Sequence, residues 1–216
     1  MDSSKNEKLL FRAIEIIGES GMSNDSWAVG GGTALAHFYN HRLSKDIDIF
    51  IDDPQFLSSL SPRFNEMAEA AAGYEENGNC ILLTFPEGEL DFIVGSQLSK
   101  FKPKETLFLN HHVNLEDPVE IVAKKIVYRG QYAVSRDVFD LAVVSSNRMN
   151  DVVNVLATHY DETKRFYDRL ASTMKNRDEL YSVSQKGSLL PGGMKFIGKE
   201  AKLCKKIRTR LQQQQQ

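Results

Sequence analysis

Cysteine is scarce. Cys80 and Cys204 are the only two in 216 residues, and they lie far apart without the paired spacing of a metal site. A disulfide-stapled fold is therefore excluded as the organising principle, and two isolated thiols suit a reducing compartment, with cytoplasm expected. Long apolar runs are also missing. None is long enough to span a bilayer, and the opening Met1-Asp2-Ser3-Ser4 has no signal-like apolar region, so no membrane partner is expected. The net charge of −2 exerts no global pull toward nucleic acid. Its distribution is uneven, however. Lys195 to Arg210 holds seven lysines and arginines against the single acid Glu200, which puts this stretch near +6 and the remainder near −8. What is left, 41% hydrophobic and 26% charged, is an ordinary globular composition, long enough for one large domain or two small ones.

The most informative stretch runs from Trp27 to Ile51. It reads as a short apolar strand, the turn Gly30-Gly31-Gly32, a helix, and a second strand bearing two acids. Asp46 and Asp48 are two apart, so on a strand both carboxylates leave one face while Ile47, Ile49 and Ile51 point into a core. Side-by-side carboxylates repel unless a cation lies between them, and hard oxygen ligands suit Mg²⁺. Glycines at the start of a helix bring bare backbone N–H groups close to an anion, which favours phosphate. A phosphate cradle and a metal site in one segment point to chemistry on a nucleoside triphosphate. Each half alone has a blander reading, a tight turn or solvated acids at a strand end.

The rest of the chain supplies the frame. Apolar spacing predicts a helix over residues 6–19, closed by Gly21. The strand at Ser26–Val29 leads to a helix at Thr33–His41 and the acidic strand at Asp46–Ile51. Phe56, Leu57, Leu60, Phe64, Met67, Ala68 and Ala71 predict an amphipathic helix ending at Gly73, divided at Pro62. A hairpin follows, Asn79–Phe85 and Leu90–Val94, turning at Pro86-Glu87-Gly88. Asp91 sits among apolar residues on its second strand, where an unpartnered burial would be costly and an edge facing water would not. Residues 97–106 read as a polar connector with Lys100, Lys102 and Lys104, and His111–Leu115 as a short strand. After Pro118 the pattern turns helical: residues 118–128, a helix opening at Ser135 as N-cap, and Met149 to Tyr181. Gly187 and Pro191-Gly192-Gly193 separate these from the basic tail, a short amphipathic helix fraying at Gln212–Gln216.

Gly31-Gly32-Thr33, a helix, then Asp46-Ile47-Asp48 resembles the signature of the DNA polymerase beta-like nucleotidyltransferase superfamily. The fuller string, with Gly31-Gly32-Thr33-Ala34-Leu35-Ala36, His41-Arg42-Leu43-Ser44 and Asp46-Ile47-Asp48, resembles more narrowly the AbiEii/AbiGii toxin family. A second block agrees: Glu120, Ala123-Lys124-Lys125-Ile126, then Arg136-Asp137 and Asp140-Leu141.

The resemblance implies an α+β fold, a small mixed-sheet nucleotidyltransferase core over residues 1–115 followed by a helical bundle over 116–216, with the active cleft between them. It implies that Asp46 and Asp48 hold Mg²⁺ on an NTP, and that Asp91 takes the third acid position and binds a second metal. Gly31, Gly32 and Thr33 would bind phosphate oxygens, and Ser44 a phosphate or its own turn. Arg42 and Lys125 would offset triphosphate charge, and Asp137 would be the bundle's acid. Arg129 lies earlier than the family's arginine and carries no assigned role. The products would be a nucleotidylated acceptor and pyrophosphate. The implied acceptor is RNA, particularly a tRNA end, and the implied partner a cognate antitoxin. Three other readings stand beside this one: transfer to a small molecule, phosphotransfer, and a non-catalytic nucleotide- or RNA-binding module.

Overall fold

The computed structural model of the chain describes residues 3–173, 189–196 and 199–214. They form two units. The first comprises Met1–His37, Ser44–Gln97 and Lys102–Asp117; the second comprises Phe38–Leu43, Leu98–Phe101 and Pro118–Gln216.

The first unit is built on a seven-stranded mixed sheet in the order β3-β4-β5-β2-β1-β7-β6. Its strands are β1 (Trp27–Gly30), β2 (Ile47–Ile51), β3 (Gly73–Asn77), β4 (Cys80–Phe85), β5 (Gly88–Val94), β6 (Lys104–Phe108) and β7 (His111–Leu115). At the centre β1 pairs antiparallel with β2, while β2–β5 and β1–β7 are parallel. Strand alternation sets the core: Ile47, Ile49 and Ile51 are fully buried, as are Leu90 and Phe92 on β5. Helix α1 (Ser3–Ser20) packs on β2 and β5 and buries Leu9, Leu10, Ala13 and Ile16. The leucines and the isoleucine each contribute roughly 1.5–3 kcal/mol of burial. The opposite parity of β2 and β5 is left to Asp48, Phe50, Asp91 and Ile93, all half-buried. The mixed sheet and the helical second half agree with the sequence expectation.

Two local expectations are corrected and one strand is added. The predicted helix from Phe56 to Gly73 is two 3₁₀ pieces, Pro54–Leu60 and Ala68–Ala70, joined by turns. Asn65 explains why. Its Nδ2 donates to the carbonyls of Ile16 and Ser59 at 2.9 Å each, and its Oδ1 accepts from the Ala68 N–H at 3.0 Å. Side-chain bonds of this kind compete with the helical ladder, and Pro62 removes one donor from it. The edge strand β3, a polar stretch for which no element was expected, pairs antiparallel with β4. The connector at 97–106 yields its last residues to β6, which pairs antiparallel with β7. That hairpin turns through Leu109 (φ 48°) and Asn110 (φ 66°), both in the left-handed region. A turn of this hand is ordinarily signalled by glycine or asparagine, and a leucine at its first position hides it.

The second unit is helical. Helix α2 (Gly31–Tyr39) begins in the first unit and delivers its last two residues to the second, ending at Asn40 with φ 46°. Then follow α3 (Pro118–Arg129), α4 (Ser135–Thr158), α5 (Tyr160–Thr173), a single turn at Pro191–Met194 and α6 (Glu200–Gln214). The helices expected near 135–144 and from 149 are one element, bent where Arg148 leaves helical geometry (φ −134°, ψ 45°). The expected N-cap Ser135 is the first helical residue; Val134 holds the cap position, and its N–H donates to Asp137 Oδ2 at 3.1 Å. The basic tail is a full helix whose Cys204, Ile207 and Leu211 are buried, with α6 packed on α4. Phe139, Val143 and Phe196 form a small core with Tyr39, Leu189 and Leu203. The returning segment lies tightly on residues 39–41: a Cβ at Gly192 would fall 2.0 Å from the Tyr39 carbonyl oxygen, and one at Gly193 2.0 Å from that of His41. The expected helix at residues 174–181 and the break at Gly187 lie outside the described residues. No helix among the described residues is long and apolar enough to cross a membrane.

Candidate active site

The first unit gathers the glycine turn and the acids on one sheet face. β1 ends at Gly30 and α2 starts at Gly31, so the first N–H groups of the helix have no partner within it. Gly31 has φ +67°, and a Cβ there would stand 1.7 Å from Asp48 Oδ2. Only glycine lets the Asp48 carboxylate lie against the turn. Asp48 pairs in register with Gly30 on one side and with Asp91 on the other. Paired residues on adjacent strands share a face and stand about 5 Å apart, so Asp48 and Asp91 present neighbouring carboxylates. Both are half-buried, as is Asp46, one residue ahead of β2.

Other predicted residues act as fasteners. Thr33 is fully buried, and its hydroxyl donates to the Asp46 carbonyl at 2.5 Å, tying the loop before β2 to the first turn of α2. Ser44 offers its carbonyl to Asn6 Nδ2 at 3.1 Å, anchoring the same loop to α1. One acid escaped sequence reading. Glu116 follows β7, is 1% exposed, and its Oε2 occupies space that a Gly30 side chain would need, 2.5 Å from the Cβ position.

The remaining predicted residues belong to the second unit and converge on Asp140. Arg42 grips that carboxylate in a fork, Nε to Oδ1 and Nη2 to Oδ2, each at 2.7 Å. Lys125 Nζ lies 3.0 Å from Asp140 Oδ2 and 3.4 Å from Asp137 Oδ1, and Arg129 also pairs with Asp137. His41 Nε2 stands 2.8 Å from Asp140 Oδ1, with its ring stacked on Phe139. Burial by itself would raise the Asp140 carboxyl. The charges of Lys125 and Arg42, with hydrogen bonds from Arg42 and His41, outweigh that and hold it well below the usual carboxylate range. The signal for this hub was legible as an acid inside the apolar run Val138, Phe139, Leu141, Ala142, where an ionised group must find partners. Glu120, buried on α3, likewise accepts from the backbone N–H groups of Leu98 and Ser99 at 2.8 Å each.

Among the described residues, no three His, Cys, Asp or Glu side chains converge into a preformed metal cage. Mg²⁺ does not need one. It is commonly held by one or two carboxylates, with substrate phosphates and water completing the octahedron. The in-register pair Asp48 and Asp91, hard oxygen donors beside the glycine turn, fits that mode.

A strand, a glycine turn, a helix start and paired carboxylates on a mixed sheet, followed by a helical unit, are the arrangement that the sequence resemblance implies. The family model described as nucleotidyl transferase AbiEii toxin, type IV toxin–antitoxin system, matches residues 21–201, and the chain belongs to that family. It is thus a nucleotidyltransferase toxin of a toxin–antitoxin system. Among solved structures, it is similar to MenT4, a nucleotidyltransferase toxin from Mycobacterium tuberculosis, with 13% identity and a TM-score of 0.53, over 95% of this chain and 82% of that one. An antigenic nucleotidyltransferase-like protein from Paracoccidioides brasiliensis aligns at 15% identity and a TM-score of 0.41, over 85% of this chain and 92% of that one. None of the curated proteins matches the chain.

Proposed function

We propose that the enzyme transfers a nucleoside monophosphate from an NTP to a hydroxyl of RNA, a tRNA end in particular, with the glycine turn and the acid face of the first unit as its catalytic surface. The observation that carries this reading is the Asp48 carboxylate, seated on the glycine turn and in register with Asp91. Backbone N–H groups of Gly31, Gly32 and Thr33 at the start of α2 take phosphate oxygens. Asp46, Asp48 and Asp91 are the ligands assigned to Mg²⁺. When bound, the ion offsets charge on the phosphates and on the entering and leaving oxygens. Asp91 accepts the proton of the attacking hydroxyl, and pyrophosphate leaves. Arg42 and Lys125 are assigned to the charge of the triphosphate; Asp137 and Asp140 hold them in place, as the short contacts within the second unit support.

The test is incubation of the protein with Mg²⁺, each α-³²P-labelled NTP and total tRNA, beside an Asp48→Ala control. Label on tRNA that requires Asp48 is the expected result and names the nucleotide. Absence of label on RNA with every NTP overturns the RNA acceptor, and pyrophosphate release with small-molecule hydroxyls then becomes the assay.

A further inference from the structure

Helix α6 packs on α4, and α5 packs on α3, and between α5 and α6 the second unit opens into a cavity of about 590 Å³. That is well within the size of small-molecule sites. Its chemistry is one-sided. Lys202, Lys205 and Arg208 succeed each other at three-residue spacing along α6, all exposed, and none is in an ion pair among the described residues. Among the described residues, no carboxylate lines it. The α5 wall is apolar, from Leu170, Ala171 and the ring of Tyr167. Tyr167 is 6% exposed, and its hydroxyl is buried without a hydrogen-bond partner among the described residues. Buried polar groups are nearly always satisfied, so an orphan hydroxyl in a cavity wall marks a place where a ligand atom completes the bond. The phenol stays protonated, since burial beside Cys204 pushes its pKa up, and it is therefore available as a donor. The groove continues past the cavity: Tyr167, Arg208 and Gln212 also border a smaller space of about 170 Å³, where the one carboxylate among the described lining residues, Asp168, is paired with Lys164 at 3.0 Å.

From this geometry we infer that the α5–α6 cleft binds a nucleotide unit, its phosphate on Lys205 and Arg208 and its base against the apolar wall of α5, at a site separate from the acid face. A nucleotide combines a phosphate with a flat, largely apolar body, which matches the two sides of the cleft. The unit is either part of an RNA strand or a free nucleotide; naming RNA as the source rests on the acceptor reading above, whereas the cleft itself does not.

The probes are a fluorescein-labelled oligoribonucleotide of about 12 residues, within the reach of one binding surface, and unlabelled AMP. Binding is read by anisotropy on the full chain in EDTA, so that no turnover intervenes. Lys205→Gln/Arg208→Gln should weaken binding about tenfold and flatten its salt dependence. Tyr167→Phe should weaken it a few-fold with a melting temperature equal to or above wild type, because the variant removes an unsatisfied hydroxyl. A merely structural tyrosine would lower the melting temperature instead. Oligonucleotide binding that AMP fails to displace identifies a strand. Displacement by AMP with the same loss in both variants identifies a free nucleotide. Binding unchanged in both variants, or no binding of either probe, overturns the inference. Asp48→Ala should bind as wild type does. Transfer assays that fail while the cleft variants still lose binding would remove the acceptor reading and leave the cleft standing.

Discussion

The two units handle carboxylates in opposite ways. In the first, Asp48 and Asp91 stand beside each other on a sheet face, with acidic Asp46 one step away. In the second, Asp140 is fully buried and clasped by Arg42, Lys125 and His41. Adjacent like charges destabilise a fold and persist where a substrate or metal uses them. A buried acid whose charge is matched is part of the architecture, and removing one member strands the others. The comparison teaches that acid content alone does not locate an active site.

Substitutions can break or sharpen that contrast. The largest expected effect is at Asp48. Asp48→Ala should reduce nucleotidyl transfer by at least about 10³-fold, measured with labelled NTP, with the melting temperature held or slightly raised. A large fall in melting temperature would move Asp48 into the architectural class. Asp140→Asn should do the reverse in kind, lowering stability by about 3–5 kcal/mol in denaturant titrations, since Arg42 and Lys125 lose their buried counter-charge. Gly31→Ala comes next. It combines a left-handed backbone with a clash against Asp48, a strain of about 1–3 kcal/mol before the clash is counted, and activity should fall with it. The smallest effect is on pH. Because the Asp140 carboxyl is depressed in the folded state, its contribution is complete above the unfolded value near about 4 and is lost as pH falls through the folded one. Wild type should therefore weaken on acidification below about pH 4, and Asp140→Asn should lack that part of the slope.

Much of the site was legible in the chain because its logic is local. Gly31, Thr33 and Asp48 lie within one β–α–β stretch, and parity alone puts Ile47, Ile49 and Ile51 on the face opposite Asp48. Asp91 needed more. It was an acid in a strand-like run, and only the parallel pairing of β2 with β5 sets it beside Asp48. The helix at 56–73 failed because apolar spacing says nothing about Asn65, whose bonds to Ile16 and Ser59 depend on α1 being nearby. The β6–β7 hairpin stayed hidden because its turn uses Leu109 where glycine or asparagine is usual.

What the sequence by itself determined is local: a glycine turn, acids at strand parity, a helical second half and a basic last helix. These follow from backbone sterics and period, which act over a few residues. Only the tertiary structure decided which charges are matched. Asp140 meets Arg42 and His41 across 98 and 99 positions of chain, and the cleft between α5 and α6 exists because the two helices pack on different neighbours. Electrostatic pairing and cavity shape depend on distance in space, and distance along the chain does not encode it.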